Sequence, residues 1–222
     1  MKLLSVNVGR ALPVPYTDQP QGLTGIDKQP VGGPVRVAAP GLKGIGASGL
    51  GGDAVCDTRH HGGDEQAVYA YAREDLDDWE RELGRPLVNG VFGENLTTSG
   101  LDVSGALIGE RWRIGSELVL EVTSGRIPCR TFQGHLGEKQ WVKRFTAKGA
   151  PGAYLRVIEP GEVRAGDAIE VVHRPDHDVT VALQFRAVTT ERKLLPRLLA
   201  AGEALHPESL DAARKYVSQY GV

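Results

Sequence analysis

Arg111-Trp112-Arg113-Ile114-Gly115-Ser116-Glu117-Leu118-Val119-Leu120-Glu121-Val122 reads as strand, turn, strand. Apolar residues fill both arms, and Gly115-Ser116 supplies the turn chemistry between them. Similar short apolar runs lie on either side. Leu3, Val6 and Val8 form a β-type stretch ended by Gly9. Residues 34–40 make a strand between two prolines, and residues 67–71, 153–158 and 168–172 give three more candidates. Breakers flank most of these runs. Gly and Pro number 29 and 13 in 222 residues, a surplus that supplies many tight turns. Short strands between breakers predict a mainly β fold, a barrel or sandwich, over residues 1–172, rather than a wound α/β sheet.

Helical periodicity interrupts this pattern. Leu76, Trp79 and Leu83 recur at helical spacing over 73–83, and Gly84 and Pro86 end the run. Trp141, Val142 and Phe145 share a face in a second expected helix at 138–145. Residues 173–178 read as a linker. Beyond them three helices are expected in a C-terminal extension over 179–222. Thr180 caps the first. Thr189 or Thr190 caps the second, which Pro196 must start or kink. Pro207 sits in the first turn of the third.

Composition bounds the function. Charged residues are 24% and the net charge is -2, from 26 Lys+Arg against 28 Asp+Glu. That balance argues against nucleic-acid binding through a broadly basic surface. No apolar run reaches the ~18 residues of a membrane span, and the N-terminus does not read as a signal peptide, so a cytoplasmic protein with no membrane partner is expected. Cys56 and Cys129 are the two cysteines, too few for an ordinary iron–sulfur cluster.

Four constellations carry candidate chemistry. Gly44-Ile45-Gly46-Ala47-Ser48-Gly49 matches the dinucleotide pattern literally, but the Leu50-Gly51-Gly52-Asp53 that follows cannot sustain the helix such a loop requires. Arg59-His60-His61-Gly62-Gly63-Asp64 suits an anion pocket: imidazoles donate, and glycines let the backbone approach. It also suits a plain polar turn. Val91-Phe92-Gly93-Glu94-Asn95-Leu96-Thr97 crowds a carboxylate, an amide and a hydroxyl. The Asn95 amide can recognise a heterocycle edge or close an Asx turn. In Ser124-Gly125-Arg126-Ile127-Pro128-Cys129-Arg130, two arginines flank a thiol in a proline-stiffened loop. Cations beside a thiol favour the thiolate that binds a soft metal, and the alternative is a buried inert cysteine. Cys56 lacks that setting and reads as core. A zinc site from Cys56, His60, His61 and Cys129 lacks the usual ligand spacing.

Together these segments resemble the MOSC family (molybdenum cofactor sulfurase C-terminal domain), in particular its YiiM-like branch. The resemblance rests on Thr24-Gly25-Ile26-Asp27-Lys28-Gln29-Pro30, His60-His61-Gly62-Gly63, Phe92-Gly93-Glu94-Asn95-Leu96 and Arg126-Ile127-Pro128-Cys129, in the family's order. It implies a MOSC-type β-barrel with a three-helix extension. It implies a molybdenum cofactor (molybdopterin) whose metal takes the Cys129 thiolate. The cofactor pocket would be lined by Lys28, His60, His61, Gly62, Gly63, Gly93, Glu94, Asn95, Leu96 and Arg126. The implied activity is reduction of small N-hydroxylated substrates such as N-hydroxylated purines, with electrons from an external flavoprotein or iron–sulfur donor. A family-level association with pyridoxal phosphate comes with the resemblance, and a homodimer is an allowed assembly. Two departures stand out. Asp64 replaces a proline common after HHGG, and Arg130-Thr131-Phe132 follows the cysteine where a bulkier aromatic is expected, implying an altered substrate mouth. The rival functions are a sulfur carrier holding a persulfide on Cys129 and a non-catalytic cofactor-binding protein.

Overall fold

The computed structural model describes residues 1–221. Its strands, in chain order, are β1 (Lys2–Gly9), β2 (Leu12–Pro13), β3 (Leu23–Thr24), β4 (Lys28–Pro30), β5 (Val35–Val37), β6 (Val68–Ala72), β7 (Leu96–Ser99), β8 (Arg111–Ile114), β9 (Leu118–Ser124), β10 (Ala153–Glu159), β11 (Gly161–Val163) and β12 (Ile169–His173). The helices are α1 (Arg73–Leu83), α2 (Arg130–Leu136), α3 (Trp141–Lys148), α4 (Val181–Thr189) and α5 (Pro207–Tyr220). The 3-10 segments are Asp64–Gln66 and Arg192–Ala204.

Eight strands form one mixed sheet in the order β12-β8-β9-β10-β6-β7-β1-β4. The expected barrel is not closed by a strand ladder. The sheet curls until its far parts meet at an isolated bridge, Lys2 to Ala168, where Leu3 N–H donates to Asp167 O at 2.9 Å and Ile169 N–H to Met1 O at 3.0 Å. The β8–β9 hairpin forms as its sequence predicts, with Ile114 opposite Leu118 and Gly115 at φ 64 in the turn. All ladders in the large sheet are antiparallel except β6–β7, which α1 joins as a parallel crossover. β9 is buried along its whole length because α4 packs against it as well.

α1 spans the expected residues, burying Leu76 and Trp79 and closing on Gly84 at φ 66. The next helical region differs from expectation. α2 was masked by its Gly134 and its shortness. The helix expected over 138–145 begins only at Trp141, because Gln140 adopts φ 55 and breaks the chain direction. In the extension, Thr180 caps α4 by accepting from Leu183 N–H at 3.0 Å, and Pro207 opens α5. The middle element is 3-10 rather than α-helical. Pro196 has no N–H to donate, and Gly202 turns the chain at φ 53. Thr189 does not cap it; its hydroxyl donates back to Phe185 O.

Two apolar clusters hold the fold. One runs from the sheet residues Leu118, Leu120 and Val122 into Val181, Leu183, Leu195 and Leu198 of the extension. The other is aromatic: Trp79, Phe92, Phe132, Trp141, Phe145 and Phe185 pack in mostly edge-on pairs, with Cys129 against them. That second cluster is the floor on which the cysteine loop rests. Among the described residues, no helix is long and apolar enough to cross a membrane.

Candidate functional site

A cavity of about 520 Å³ opens between the 17–28 and 43–62 segments, the 124–131 loop and the first turn of α5. That volume lies in the range of small-molecule sites. Lys28, His60, His61, Gly62, Gly93, Asn95, Arg126 and Cys129 all line it. Three expected residues do not. Leu96 is buried in β7, Gly63 is turned away, and Glu94 lies behind the wall. Glu94 accepts from Phe92 N–H at 3.0 Å and Thr97 Oγ1 at 2.9 Å, so its carboxylate organises its own loop.

The cysteine loop follows β9 directly. Arg126 is buried, its guanidinium 5.1 Å from the Tyr69 ring centre and 4.7 Å from that of Phe132. Its Nε has no hydrogen-bond partner, and no carboxylate reaches ion-pair distance among the described residues. Burial opposes the Arg126 charge, and the buried Tyr69 and Tyr154 phenols beside it, held protonated by their own burial, do not cancel it. Gly93 is required beside it, since a Cβ there would stand 3.1 Å from Arg126 Nη1 on a residue already at φ 74. Cys129, half-buried, precedes α2 with extended backbone. At the mouth, Arg130 pairs with Asp18 at 2.9 Å and Thr131 meets the Thr17 hydroxyl at 3.1 Å. The Arg130-Thr131 departure therefore ties the rim to the 17–19 segment.

Lys28 lines the cavity with its charge already paired. Its ammonium pairs with the Asp53 carboxylate, both side chains nearly fully buried. Burial lowers the Lys28 pKa, and Asp53 opposes that shift. Asp53 also accepts from Gly9 N–H at 2.7 Å and from Asn95 Nδ2 at 2.9 Å. The Asn95 amide is committed as well. Its oxygen accepts from Tyr69 N–H at 3.1 Å, so it holds β6 rather than standing free for a heterocycle. Asp53 was invisible in the sequence because its partners are far away in the chain.

The histidine loop is built from glycine contacts. Gly62 and Gly63 have φ 78 and 75, and a Cβ on either would strike the backbone of Ala47 or Lys43. Gly63 N–H donates to Ala47 O at 3.0 Å, so these glycines serve loop packing before any ligand. Asp64 belongs to the same arrangement: its N–H donates to Gly41 O and its carboxylate accepts from Gly41 N–H, both at 2.8 Å. A proline could not supply that N–H. His61 is lowered to about 4, first by burial and then by Arg126, and is neutral at pH 7.

Cys56 corrects an expectation. It is half-buried and lines the cavity rather than the core, and burial pushes its thiol up. Among the described residues, no group of three or more His, Cys, Asp or Glu side chains is gathered to hold a metal ion, which removes the zinc alternative. No helix begins in residues 44–53, so the dinucleotide pattern is a turn. Sequence reasoning missed Asp53, Lys43, Gln184 and His206, all of which line the cavity.

Comparison with known proteins places these segments. The family profile described as MOSC domain matches residues 57–170. The chain is 34% identical over 184 residues to the uncharacterized protein YflK of Bacillus subtilis, covering 83% of this chain and 79% of that one. It is 31% identical over 179 residues to a protein named Reductase from Gibberella moniliformis, covering 79% of this chain but only 30% of that longer protein. The crystal structure of YiiM from Geobacillus stearothermophilus superposes with a TM-score of 0.76 at 25% identity, over 96% of this chain and 97% of that one.

Proposed function

This chain belongs to the MOSC domain family, and from that premise we propose that it binds a molybdenum cofactor through Cys129 and reduces small N-hydroxylated compounds. The observation that carries the proposal is Arg126. A buried guanidinium without an anion is costly, and this one lies in the cavity wall beside a thiol. An anionic ligand taking the Cys129 sulfur satisfies both groups. The donor set fits: a thiolate is a soft ligand suited to molybdenum, and the cavity has the size of a small-molecule site.

Bound there, the cofactor would supply the two-electron oxygen chemistry. The reaction takes an N-hydroxylated compound, two electrons and two protons. It breaks the N–O bond and releases the amine and water. The chain's residues have narrower tasks. Cys129 holds the metal, Arg126 balances negative charge, and neutral His61 offers one N–H donor. The buried Lys28–Asp53 pair and Asn95 hold the wall that faces them. Two cysteines cannot hold an ordinary iron–sulfur cluster, so the electrons would come from a flavin or iron–sulfur group outside these residues.

The test is molybdenum per chain after expression in a cofactor-producing host, followed by turnover of an N-hydroxylated purine with an artificial electron donor. Cys129→Ser should lose both metal and turnover. Cys56→Ser should keep most of each, since its protonated thiol lies by the Lys28–Asp53 pair. Equal loss from both substitutions refutes the single-thiolate assignment. Absence of molybdenum, with sulfane sulfur on Cys129, favours the persulfide carrier instead. Molybdenum without turnover favours a non-catalytic cofactor-binding protein.

A further inference from the structure

Between the end of β1 and the start of β4 the chain leaves the large sheet. The only strand pairing of residues 10–24 is the short β2–β3 ribbon, and none of these residues is fully buried. Residues 14–22 form a compact loop closed on itself. Val14 N–H donates to Gly22 O at 2.9 Å, Gly22 N–H to Gln19 O at 2.8 Å, and Gln21 N–H to Gln19 Oε1 at 2.7 Å. Both ends of the segment are fixed. A Cβ on Gly9 would strike Gly25 O, and one on Gly25 would strike Ala54 O, so backbone packs on backbone there. The loop between lies across the turn that carries Cys129. Tyr16 sits on Gly134 of α2, where a Cβ would strike the Tyr16 side chain. The Thr17 and Thr131 hydroxyls are 3.1 Å apart, Arg130 donates to Asp18 at 2.9 Å, and Gln19 Nε2 reaches Cys56 O at 3.5 Å. Thr17, Asp18 and Gln19 line the cavity from this side.

We propose that residues 14–22 are a lid over the Cys129 end of the cavity, seated by Tyr16 on Gly134 and latched by Thr17 and Asp18, which lifts to admit a ligand to the thiol and closes behind it. A fixed wall would be tied down by buried apolar side chains. This loop contributes none to either apolar cluster, and its latch is polar. Both side chains of the Asp18–Arg130 pair are mostly exposed, which makes the pair weak. A segment with few buried contacts and exposed hydrogen bonds opens well below the free energy of global unfolding. Gly134 fits the same reading. Glycine inside a helix weakens it, and α2 has only seven residues, yet any larger residue at 134 would displace Tyr16. The lid governs access to the thiol whatever the ligand is, and no step of it rests on the cofactor reading.

The experiment follows alkylation of Cys129 by iodoacetamide in the full chain, made without the cofactor and carrying Cys56→Ser so that one thiol reports. Gly134→Ala unseats Tyr16 and should speed the reaction about fivefold. It should do so without lowering the unfolding midpoint by more than a few degrees, because alanine also strengthens α2. Asp18→Asn should speed it by a smaller factor. Added salt should speed the parent protein by screening the Asp18–Arg130 pair, a response that Asp18→Asn should lack. A shortened loop, with residues 15–21 replaced by two glycines, should leave Cys129 reacting fastest of all. Parent rates in both Gly134→Ala and the shortened loop overturn the lid. So does a faster rate that appears only with a midpoint lowered by more than a few degrees, since that reports unfolding rather than opening. The readout needs no molybdenum. A protein that takes up no cofactor but shows these rates keeps its lid and loses only the function proposed above.

Discussion

At the scale of single residues, the cavity combines a bare cation with neutral donors. Arg126 is packed between aromatic rings, and His61 beside it stays uncharged because burial and that guanidinium both oppose its protonation. His61→Ala should therefore lower molybdenum per chain several-fold with little change in the unfolding midpoint at pH 7. The pH dependence has a defined sign. His61 titrates at about 4 in the fold against about 6.5 unfolded, so the unfolded state binds more protons between those values. Wild-type stability should fall as pH drops from 6.5 towards 4, and His61→Ala should lose on the order of 1 kcal/mol less over that range. Urea midpoints at pH 7 and 4.5 check this, and a loss as large as the wild type's contradicts a neutral His61 imidazole. The same scale shows what was legible. Cys129 and Arg126 stood out because a thiol between cations is an unusual local combination. Asn95 and Glu94 were visible as polar groups, but nothing local reveals that Glu94 turns into its own loop while Asn95 bonds the Tyr69 backbone and Asp53. Asp53 gave no signal, since Gly9, Lys28 and Asn95 reach it only through tertiary folding.

Among the elements, α4 does more than cover the sheet. Gln184 is buried on it, accepting from Gly125 N–H at 2.9 Å and donating to Ser209 Oγ at 2.9 Å. Gly125 is the residue before Arg126, so one side chain ties the cysteine loop to both α4 and α5. Gly125 has no room for a side chain, because a Cβ would stand 2.8 Å from Pro151. Gln184→Leu preserves approximate size but strands the Gly125 N–H and the Ser209 hydroxyl. It should cost about 1–3 kcal/mol and loosen the loop. The distinguishing measurement is iodoacetamide alkylation of Cys129 relative to Cys56 under native conditions. The ratio should rise several-fold in Gln184→Leu and return towards wild type in Gln184→Glu at low pH, where the protonated carboxyl regains a carbonyl acceptor and an O–H donor. An unchanged ratio would make Gln184 a packing residue only. Hairpins and capped helices were readable here from turn and cap residues. α2 and the 3-10 segment were not, because Gly134, Pro196 and Gly202 obscure the local pattern that packing overrides.

For the whole molecule, composition separates residues 1–172 from 179–222, but the apolar core runs through both. Val179, Val181, Leu183, Leu195, Leu198, Leu205 and Leu210 belong to the same buried cluster as Leu120 and Val122. Phe185 meets Phe145 edge-on at 6.3 Å in the aromatic cluster beneath Cys129. A linker at 173–178 is legible because it depends on local composition. The shared core is not, because a helix's apolar face does not reveal which surface it will cover. Each large apolar side chain in that interface contributes about 1.5–3 kcal/mol. Loss of several together exceeds the roughly 5–15 kcal/mol by which a domain is normally stable. A chain ending at residue 178 would also expose β9 and leave Gly125 without Gln184. That truncation should therefore lose the cooperative thermal transition of the full chain and bind a hydrophobic dye such as ANS, while keeping much of its far-ultraviolet β signal. Circular dichroism melts and dye fluorescence on the two chains make the comparison. A truncated chain that melts cooperatively within about 5 °C of the full one would show that the extension rests on a self-sufficient sheet, since even 1 kcal/mol moves the midpoint of a domain this size by about 2–4 °C.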